Sequence, residues 1–100
     1  MDIQQIQYFL EVVRSRNFSV AAENLYTTQS SVSKNIKSLE KELNIQLFDR
    51  TKRQIQLTEA GKLILKDAHS IVQEYDNLIH TISSYQLQKE DTLSIAGIPV

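Results

Sequence analysis

The sequence has no cysteine and no tryptophan, one proline, two glycines and no long hydrophobic run. Without cysteine there can be no disulfide framework, no cysteine-ligated zinc site and no thiol nucleophile. No apolar stretch approaches the ~18 residues that a membrane-spanning helix requires. The N-terminal stretch MDIQQIQYFL lacks the basic start of a signal peptide. These absences together predict a cytoplasmic protein.

Size and composition are those of one soluble domain, but the charge is unevenly distributed. The 100 residues are 41% hydrophobic and 23% charged, with a formal net charge of −1. Residues 1–57 carry eight Lys/Arg and six Asp/Glu, whereas residues 58–100 carry three and six. Residues 28–57 alone carry six basic and three acidic side chains. This local excess of positive charge indicates where an acidic partner would bind.

Three helices are predicted in the first 43 residues. Apolar residues at helical spacing predict the first helix over about residues 2–15. Ser19 is a candidate N-cap for a short second helix that runs through Tyr26, with small alanines on its inner side. Thr28 can cap a third helix from Gln29 to about Leu43. The break between the second and third helices is short and polar.

The third helix has two distinct faces at ~100° per residue. Its apolar stripe should pack against the core and consists of Val32, Ile36, Leu39 and Leu43. The opposite face is polar and basic, with Ser33 at its edge, and comprises Ser30, Lys34, Lys37 and Lys41. Taken alone, this basic face is most simply interpreted as a solvated surface.

The next segment, IQLFDRTKRQIQL, predicts a β-hairpin. Leu47 and Phe48 precede a polar tip, and alternation of apolar and polar residues resumes at residues 54–57. The tip contains three cations, Arg50, Lys52 and Arg53, which should repel one another. Such a cluster is easier to explain if a negatively charged partner docks there.

A long helix is predicted from Thr58, its candidate N-cap, with Glu59 in the first turn. Apolar residues at alternating spacings of four and three indicate a coiled-coil seam of about 28 residues, or ~42 Å. The preceding ~57 residues are too few to cover it, so a second copy of the chain is the expected partner. The seam comprises Ile64, Ala68, Ile71, Tyr75, Leu78, Ile82 and Tyr85, and is widened by Leu65, Val72 and Ile79.

The heptad pattern stops after Gln86. The stretch KEDTLSIAGIPV is predicted to be a linker followed by a short strand, with Leu93 and Ile95 on one face. A lone strand has no partner within the chain. The sequence therefore reads as if a further domain begins here.

The predicted order of elements is that of a winged helix-turn-helix followed by a long helix. The stretches QYFLEVVRSRNFSVAAENL, TTQSSVSKNIKSLEKEL and LFDRTKRQIQLTEAG closely resemble the N-terminal part of LysR-type transcriptional regulators. The similarity covers essentially residues 2–86. It implies a mainly α fold divided into a DNA-binding domain at 1–58, a linker and dimerisation helix at 59–87, and a hinge with the first strand of an effector-binding domain at 88–100.

The resemblance also implies function. Members of this family are bacterial transcription factors that bind interrupted, AT-rich dyads of double-stranded DNA as homodimers, often assembled into tetramers. They pair through the long helix. No cofactor is expected in this chain, because the small-molecule inducer binds the effector domain, most of which is absent here.

Residue roles follow from the matching positions. The resemblance assigns base-edge reading to Gln29, Ser30, Ser33 and Lys34. It assigns phosphate contacts to Thr28, Ser31, Lys37, Arg50 and Thr51, and an approach to the minor groove to Arg53. It assigns dimerisation to Ile64, Ala68, Ile71, Val72, Tyr75, Leu78, Ile79 and Ile82.

Other classes of protein fit less well. The two histidines, His69 and His80, lie ~16 Å apart along one helix and cannot share a metal within a chain, and no catalytic grouping is suggested nearby. A pure dimerisation module would leave the basic hairpin and the lysine face without a role. Another winged-helix regulator family is the closest alternative, but LTEAG with a long helix directly after the wing favours the LysR type.

Overall fold

The computed structural model describes the backbone of residues 1–94 and the side chains of residues 1–89. Four helices and one hairpin follow in the order α1 (Ile3–Ser15), α2 (Phe18–Asn24), α3 (Gln29–Leu43), β1 (Phe48–Asp49), β2 (Gln56–Leu57) and α4 (Glu59–Ser94). The two short strands pair antiparallel, with Phe48 opposite Leu57. The predicted fold class, a winged helix-turn-helix followed by a long helix, is confirmed.

The first and third helices begin where their local signals predict. Asp2 caps α1 in a reciprocal capping box with Gln5. The Thr28 side chain accepts a hydrogen bond from the Ser31 backbone N–H at the start of α3. The apolar stripe of α3 packs inward with Phe9, Val12, Leu47 and Phe48, and its fully buried members are Val32, Ile36 and Leu39.

The predicted bounds of the second helix are wrong at both ends. Asn17, and not Ser19, is the N-cap, because its side chain accepts a hydrogen bond from the Val20 backbone N–H. This start places Phe18 in the helix with its ring 6.2 Å from that of Phe48. The helix ends at Asn24, and Tyr26 takes a left-handed conformation (φ 56°) that closes the turn before α3.

The end of the long helix is also different from the prediction. Thr58 does cap it, since its hydroxyl accepts a hydrogen bond from the Gly61 backbone N–H. Helix α4 then continues through Ser94, where a linker from residue 88 and a strand at Leu93 were expected. No glycine or proline interrupts residues 88–94, and several of them are good helix formers. The rest of the expected strand, including Ile95, lies outside the described residues.

The apolar seam of α4 divides into two parts. Its N-terminal part packs on the chain's own core: Ala68 is buried, and Ile64, Leu65 and Val72 are partly buried against the core. Its C-terminal part is uncovered. The exposed fractions there are 46% for Ile71, 38% for Tyr75, 55% for Leu78, 47% for Ile79 and 45% for Ile82.

No helix among the described residues is both long enough and apolar enough to cross a membrane.

Gly61 is required where α4 passes under the wing. A Cβ at this position would overlap the backbone oxygen of Leu47 and lie 2.7 Å from Cδ2 of Leu57.

Gly61→Ala should therefore lower the free energy of unfolding by about 1–3 kcal/mol, as overpacking does, although alanine normally stabilises a helix relative to glycine. Chemical denaturation measures this change. Ser70→Ala, on an exposed part of the same helix, should change stability by less than about 0.5 kcal/mol. A stabilised Gly61→Ala variant would show that the wing is free to move away.

Candidate nucleic-acid interface

The N-terminal end of α3 is exposed and held by a contact from α2. Gln29 and Ser30, the first two residues of the helix, are exposed to solvent. The Ser19 hydroxyl donates a hydrogen bond of 2.9 Å to Oε1 of Gln29. This contact leaves both N–H bonds of Nε2 and a second lone pair on Oε1 available. The Gln29 amide is therefore oriented in advance, with donors and an acceptor free.

The outer face of α3 continues as a polar and basic surface. Lys34 and Lys37 are exposed, and Ser33 is half-buried at the edge of the face. Neither lysine has an ion-pair partner among residues 1–89. Ser31 is half-buried, and its carbonyl accepts a hydrogen bond of 2.9 Å from the Asn35 side chain. Because Asn35 folds back onto its own helix, it leaves the surface to the lysines.

The tip of the hairpin wing is organised by Asp49. Its Oδ1 accepts hydrogen bonds from the Thr51 hydroxyl at 2.6 Å and from the Thr51 backbone N–H at 2.9 Å. These two bonds, the hydroxyl first, hold the pKa of Asp49 below its usual value, with a further contribution from the nearby charge of Lys52. Lys52 and Arg53 are exposed at the tip. Two exposed cations therefore lie at the tip of the wing.

Arg50 does not join those two cations, so the predicted cluster of three repelling charges is wrong. Its guanidinium donates to Oε1 of the Glu40 carboxylate at 3.2 Å and lies 5.4 Å from the centre of the Phe18 ring. Its side chain is 27% exposed. Arg50 turns inward because Glu40, on α3, is buried and needs a cation.

Glu40 connects α3 to the wing. Its Oε2 accepts hydrogen bonds from the backbone N–H groups of Leu47 at 2.8 Å and Phe48 at 3.3 Å. Together with Arg50, these contacts fix the position of β1 relative to α3. The sequence patterns did not identify Glu40 as a positioning residue. The only local signal was an acidic residue beside the apolar stripe of an otherwise basic helix.

Two further residues were missed by the sequence patterns. Ser19 was interpreted as a helix cap, but it orients Gln29. Lys52 was grouped with the wing cations without a role, although it is one of the two exposed charges at the tip. Both assignments depend on which side chains the folded chain brings together. Neither follows from spacing along the sequence.

The two histidines lie on the exposed surface of α4. Within the described part of the chain, no group of three or more His, Asp or Glu side chains is arranged to hold a metal ion.

The exposed groups form one surface suited to an extended anion. The end of α3 presents an oriented amide, the outer face of α3 presents Lys34 and Lys37, and the wing presents Lys52 and Arg53. A helix of this width fits the major groove of B-form DNA, and a basic wing beside it can reach the adjacent backbone. The surface therefore combines groups that read base edges with groups that neutralise phosphates.

The chain is similar in sequence to known transcriptional regulators. The chain is 34% identical to the HTH-type transcriptional regulator CitR of Bacillus subtilis (strain 168) over 100 residues, which is the whole chain and 34% of that protein. The chain thus spans about a third of the length of this relative.

Solved structures with the same fold include two protein–DNA complexes. The crystal structure of a BenM_DBD/catB site 1 DNA complex matches with a TM-score of 0.81 at 29% identity, covering 86% of this chain and 97% of that one. The crystal structure of a CbnR_DBD–DNA complex matches with a TM-score of 0.77 at 29% identity, covering 86% of this chain and 99% of that one. The model of bacterial regulatory helix-turn-helix proteins of the lysR family matches residues 3–62. This chain therefore belongs to the lysR family.

Proposed function

We propose that this chain is the DNA-binding part of a bacterial transcriptional regulator and that it binds duplex DNA sequence-specifically. The observation that carries the proposal is the oriented Gln29 amide at the exposed end of α3, beside the unpaired Lys34 and Lys37. Helix α3 enters the major groove with this end deepest. The wing reaches the adjacent backbone or minor groove.

Base reading is proposed for the first turns of α3. An amide can donate and accept at once, so Gln29 matches the N6 and N7 edge of adenine. Lys34 lies five residues further on and can reach guanine O6 and N7 or a phosphate. Ser30 and Ser33 add hydroxyl groups that can donate or accept.

Phosphate contacts are proposed around this reading surface. Thr28 and Ser31 carry hydroxyl groups, and Lys37 supplies a cation that is exposed. The Thr51 hydroxyl donates to Asp49 in the free chain, so it would turn away from that carboxylate to donate to a phosphate. Arg53 approaches the minor groove, where a narrow AT-rich groove attracts arginine. For Arg50 we propose a narrower role: its contacts with Glu40 and Phe18 support positioning of the wing, with only the exposed part of its guanidinium left for a phosphate.

The chain is proposed to act as a homodimer through α4, with residues 1–58 as the DNA-binding domain and the helix from residue 59 as the dimerisation element. The uncovered apolar stripe from Ile71 to Ile82 supports this division. Ala68 is buried in the chain's own core and Ile64 and Val72 are partly buried against it, so these three residues would contribute to the dimer contact only at its N-terminal end. Two copies would place two recognition helices on an interrupted, AT-rich dyad, and the full-length protein could form tetramers.

The remaining family properties are proposed for the whole protein. A small-molecule inducer would act through a C-terminal effector-binding domain. The chain itself needs no cofactor to bind DNA. The site of action is the bacterial cytoplasm.

The test of this function is a change of base preference. Gln29→Ala should cost about 1–3 kcal/mol on the preferred duplex and much less on random DNA, because it removes a two-point contact with one base. Preferred duplexes would be selected from a random pool with wild type and variant, and binding would be measured at fixed salt. Ser19→Ala should change the base preference in the same direction as Gln29→Ala but by a smaller amount. This variant keeps the Gln29 amide and removes only the hydrogen bond that orients it.

The matched control is Gln73→Ala, an exposed glutamine on α4 away from this surface, which should leave the selected sequence unchanged. Equal loss on preferred and random duplexes would make Gln29 a positioning residue. Failure of the wild-type chain to bind any duplex would refute the proposed function.

A further inference from the structure

A basic groove borders the hairpin wing and is lined by no residue of α3. It has a volume of about 390 Å³ and lies between the end of α1, the hairpin and the start of α4. Its polar lining consists of Arg16, Gln56 and Lys62, and the other lining residues are apolar. No acidic side chain lines it. The groove therefore combines two cations and one amide with no counter-charge.

Both cations are free to bind a partner. Arg16 and Lys62 are exposed, and neither side chain has a hydrogen bond or ion pair with another residue in the described part of the chain. They belong to different elements, one at the C-cap of α1 and one in the second turn of α4. Two cations that converge on one groove from separate elements suit a single anion better than either would alone.

Arg16 also occupies a strained backbone conformation. Its φ of 56° and ψ of 28° lie in the left-handed region, where glycine or asparagine usually ends a helix. An arginine there is disfavoured by its Cβ. The conformation ends α1, because the Arg16 backbone N–H donates to the Val12 carbonyl oxygen, and it also occurs at Tyr26 and Asn44 after α2 and α3. A glycine at position 16 could therefore end the helix equally well.

The groove borders elements that are proposed to touch DNA. Phe18, two residues after Arg16, packs against Phe48 of the wing, and Arg50 lies over the Phe18 ring. Ser19, in the first turn of α2, contacts Gln29 at the reading end of α3. The loop that carries Arg16 is thus connected to both elements proposed to touch DNA. Gln56 of the same groove is three residues from Arg53 at the wing tip.

We infer that Arg16 and Lys62 together bind one phosphate of the DNA backbone on the outer side of the wing. This inference rests on the proposed function. The contact carries no sequence information, so it adds affinity and fixes the orientation of the wing without changing base preference. It extends the DNA-contacting surface from the hairpin tip to the start of the dimerisation helix.

The first experiment measures the salt dependence of binding by the 100-residue chain to a duplex selected by wild type. Lys62→Gln and Arg16→Gly should each weaken binding roughly fivefold at about 0.15 M salt and reduce the log–log slope by up to ~0.9, the contribution of one phosphate. Arg16→Gly should leave the thermal midpoint equal to or above that of wild type, because glycine relieves the left-handed strain. Loss of binding with retained stability separates a DNA contact from a folding defect.

The matched control is Lys66→Gln, one turn further along α4, which removes the same charge from an exposed lysine that does not line the groove. It should bind within about twofold of wild type, as expected for a charge that contacts no phosphate. If Lys62→Gln and Arg16→Gly behave like Lys66→Gln, the inference is wrong. If wild type itself binds no duplex, the proposed function fails instead.

The second experiment locates the phosphate. Single neutral methylphosphonate groups would be placed along the selected duplex, and their effects compared for wild type, Lys62→Gln and Lys66→Gln. One position should weaken wild type and Lys66→Gln but not Lys62→Gln, because the variant has already lost that contact. If every position weakens all three proteins alike, Lys62 acts only through its long-range field and the assigned contact is refuted.

Discussion

Replacing Glu40 with alanine should lower the free energy of unfolding by about 3–5 kcal/mol, the usual result of breaking a buried ion pair from one side. Glu40 is 8% exposed, and its carboxylate accepts hydrogen bonds from the Leu47 and Phe48 backbone N–H groups as well as from Arg50. Its removal takes this acceptor away from two backbone donors and the counter-charge away from a partly buried guanidinium. Chemical denaturation at one fixed protein concentration measures the loss.

Glu42 provides the matched control for this substitution. It lies two residues further along the same helix, and its exposed side chain forms a salt bridge with the N-terminal ammonium group of Met1. Glu42→Ala should cost no more than about 1 kcal/mol, as surface ion pairs do. Arg50→Ala should lower the free energy of unfolding by less in the Glu40→Ala background than in wild type, because the Arg50 charge has already lost its partner carboxylate there. Equal losses for Glu40→Ala and Glu42→Ala would mean that the wing is held by its apolar contacts.

The proposed role of Glu40 also predicts an effect on function. Because the wing is tied to α3 through this carboxylate, a folded Glu40→Ala chain should present Lys52 and Arg53 in a less defined position. Binding to random and preferred duplexes should then weaken together, with a smaller salt dependence. A folded variant with unchanged binding would limit Glu40 to a role in stability.

Leu78→Asp should convert the proposed dimer to a monomer. Leu78 is 55% exposed in a single chain, in the middle of the uncovered stripe. In a symmetric dimer the substitution would place a charge at both copies of the position, and burying an unpaired charge costs several kcal/mol. The dissociation constant of the dimer should therefore rise by a factor of at least about 100. Analytical ultracentrifugation over a range of protein concentrations measures it.

Ser84→Asp is the control for the dimer. Residue 84 is exposed on the opposite side of the same helix, so this variant adds the same charge without entering the stripe and should remain dimeric. On DNA, the monomeric Leu78→Asp variant should still prefer the same half-site. It should lose the additional affinity that a dimer gains by binding two half-sites at once. A Leu78→Asp chain that stays dimeric at micromolar concentration would place the dimer contact elsewhere.

The bounds of α1 and α3 and the two faces of α3 could be predicted from the sequence alone because their determinants are local. Apolar residues three and four positions apart define a buried stripe whatever the stripe packs against. Thr28 caps a helix through a backbone N–H three residues away. The hairpin and the family resemblance could also be predicted, since the alternation of apolar and polar residues and the order of motifs are properties of the sequence itself.

The ends of α2 and α4 were predicted less well, for different reasons. Asn17 and Ser19 are both good N-caps by local preference, and the packing of the Phe18 ring against Phe48 favours the earlier start. For α4, the end of the heptad pattern was interpreted as the end of the helix. Periodicity reports where a helix is buried, however, and an exposed helix can continue without it.

The sequence by itself determined which residues are basic, which helix carries them and that α4 has an apolar stripe. Only the tertiary structure decided that Arg50 turns inward to Glu40, that Ser19 orients Gln29 and that Ala68 belongs to the chain's own core. Gly61 is required for the same kind of reason, because the backbone of Leu47 passes directly over it. These contacts join residues from different elements, ten or more positions apart. Such pairs form only when helices and wing pack together, so no local pattern can encode them.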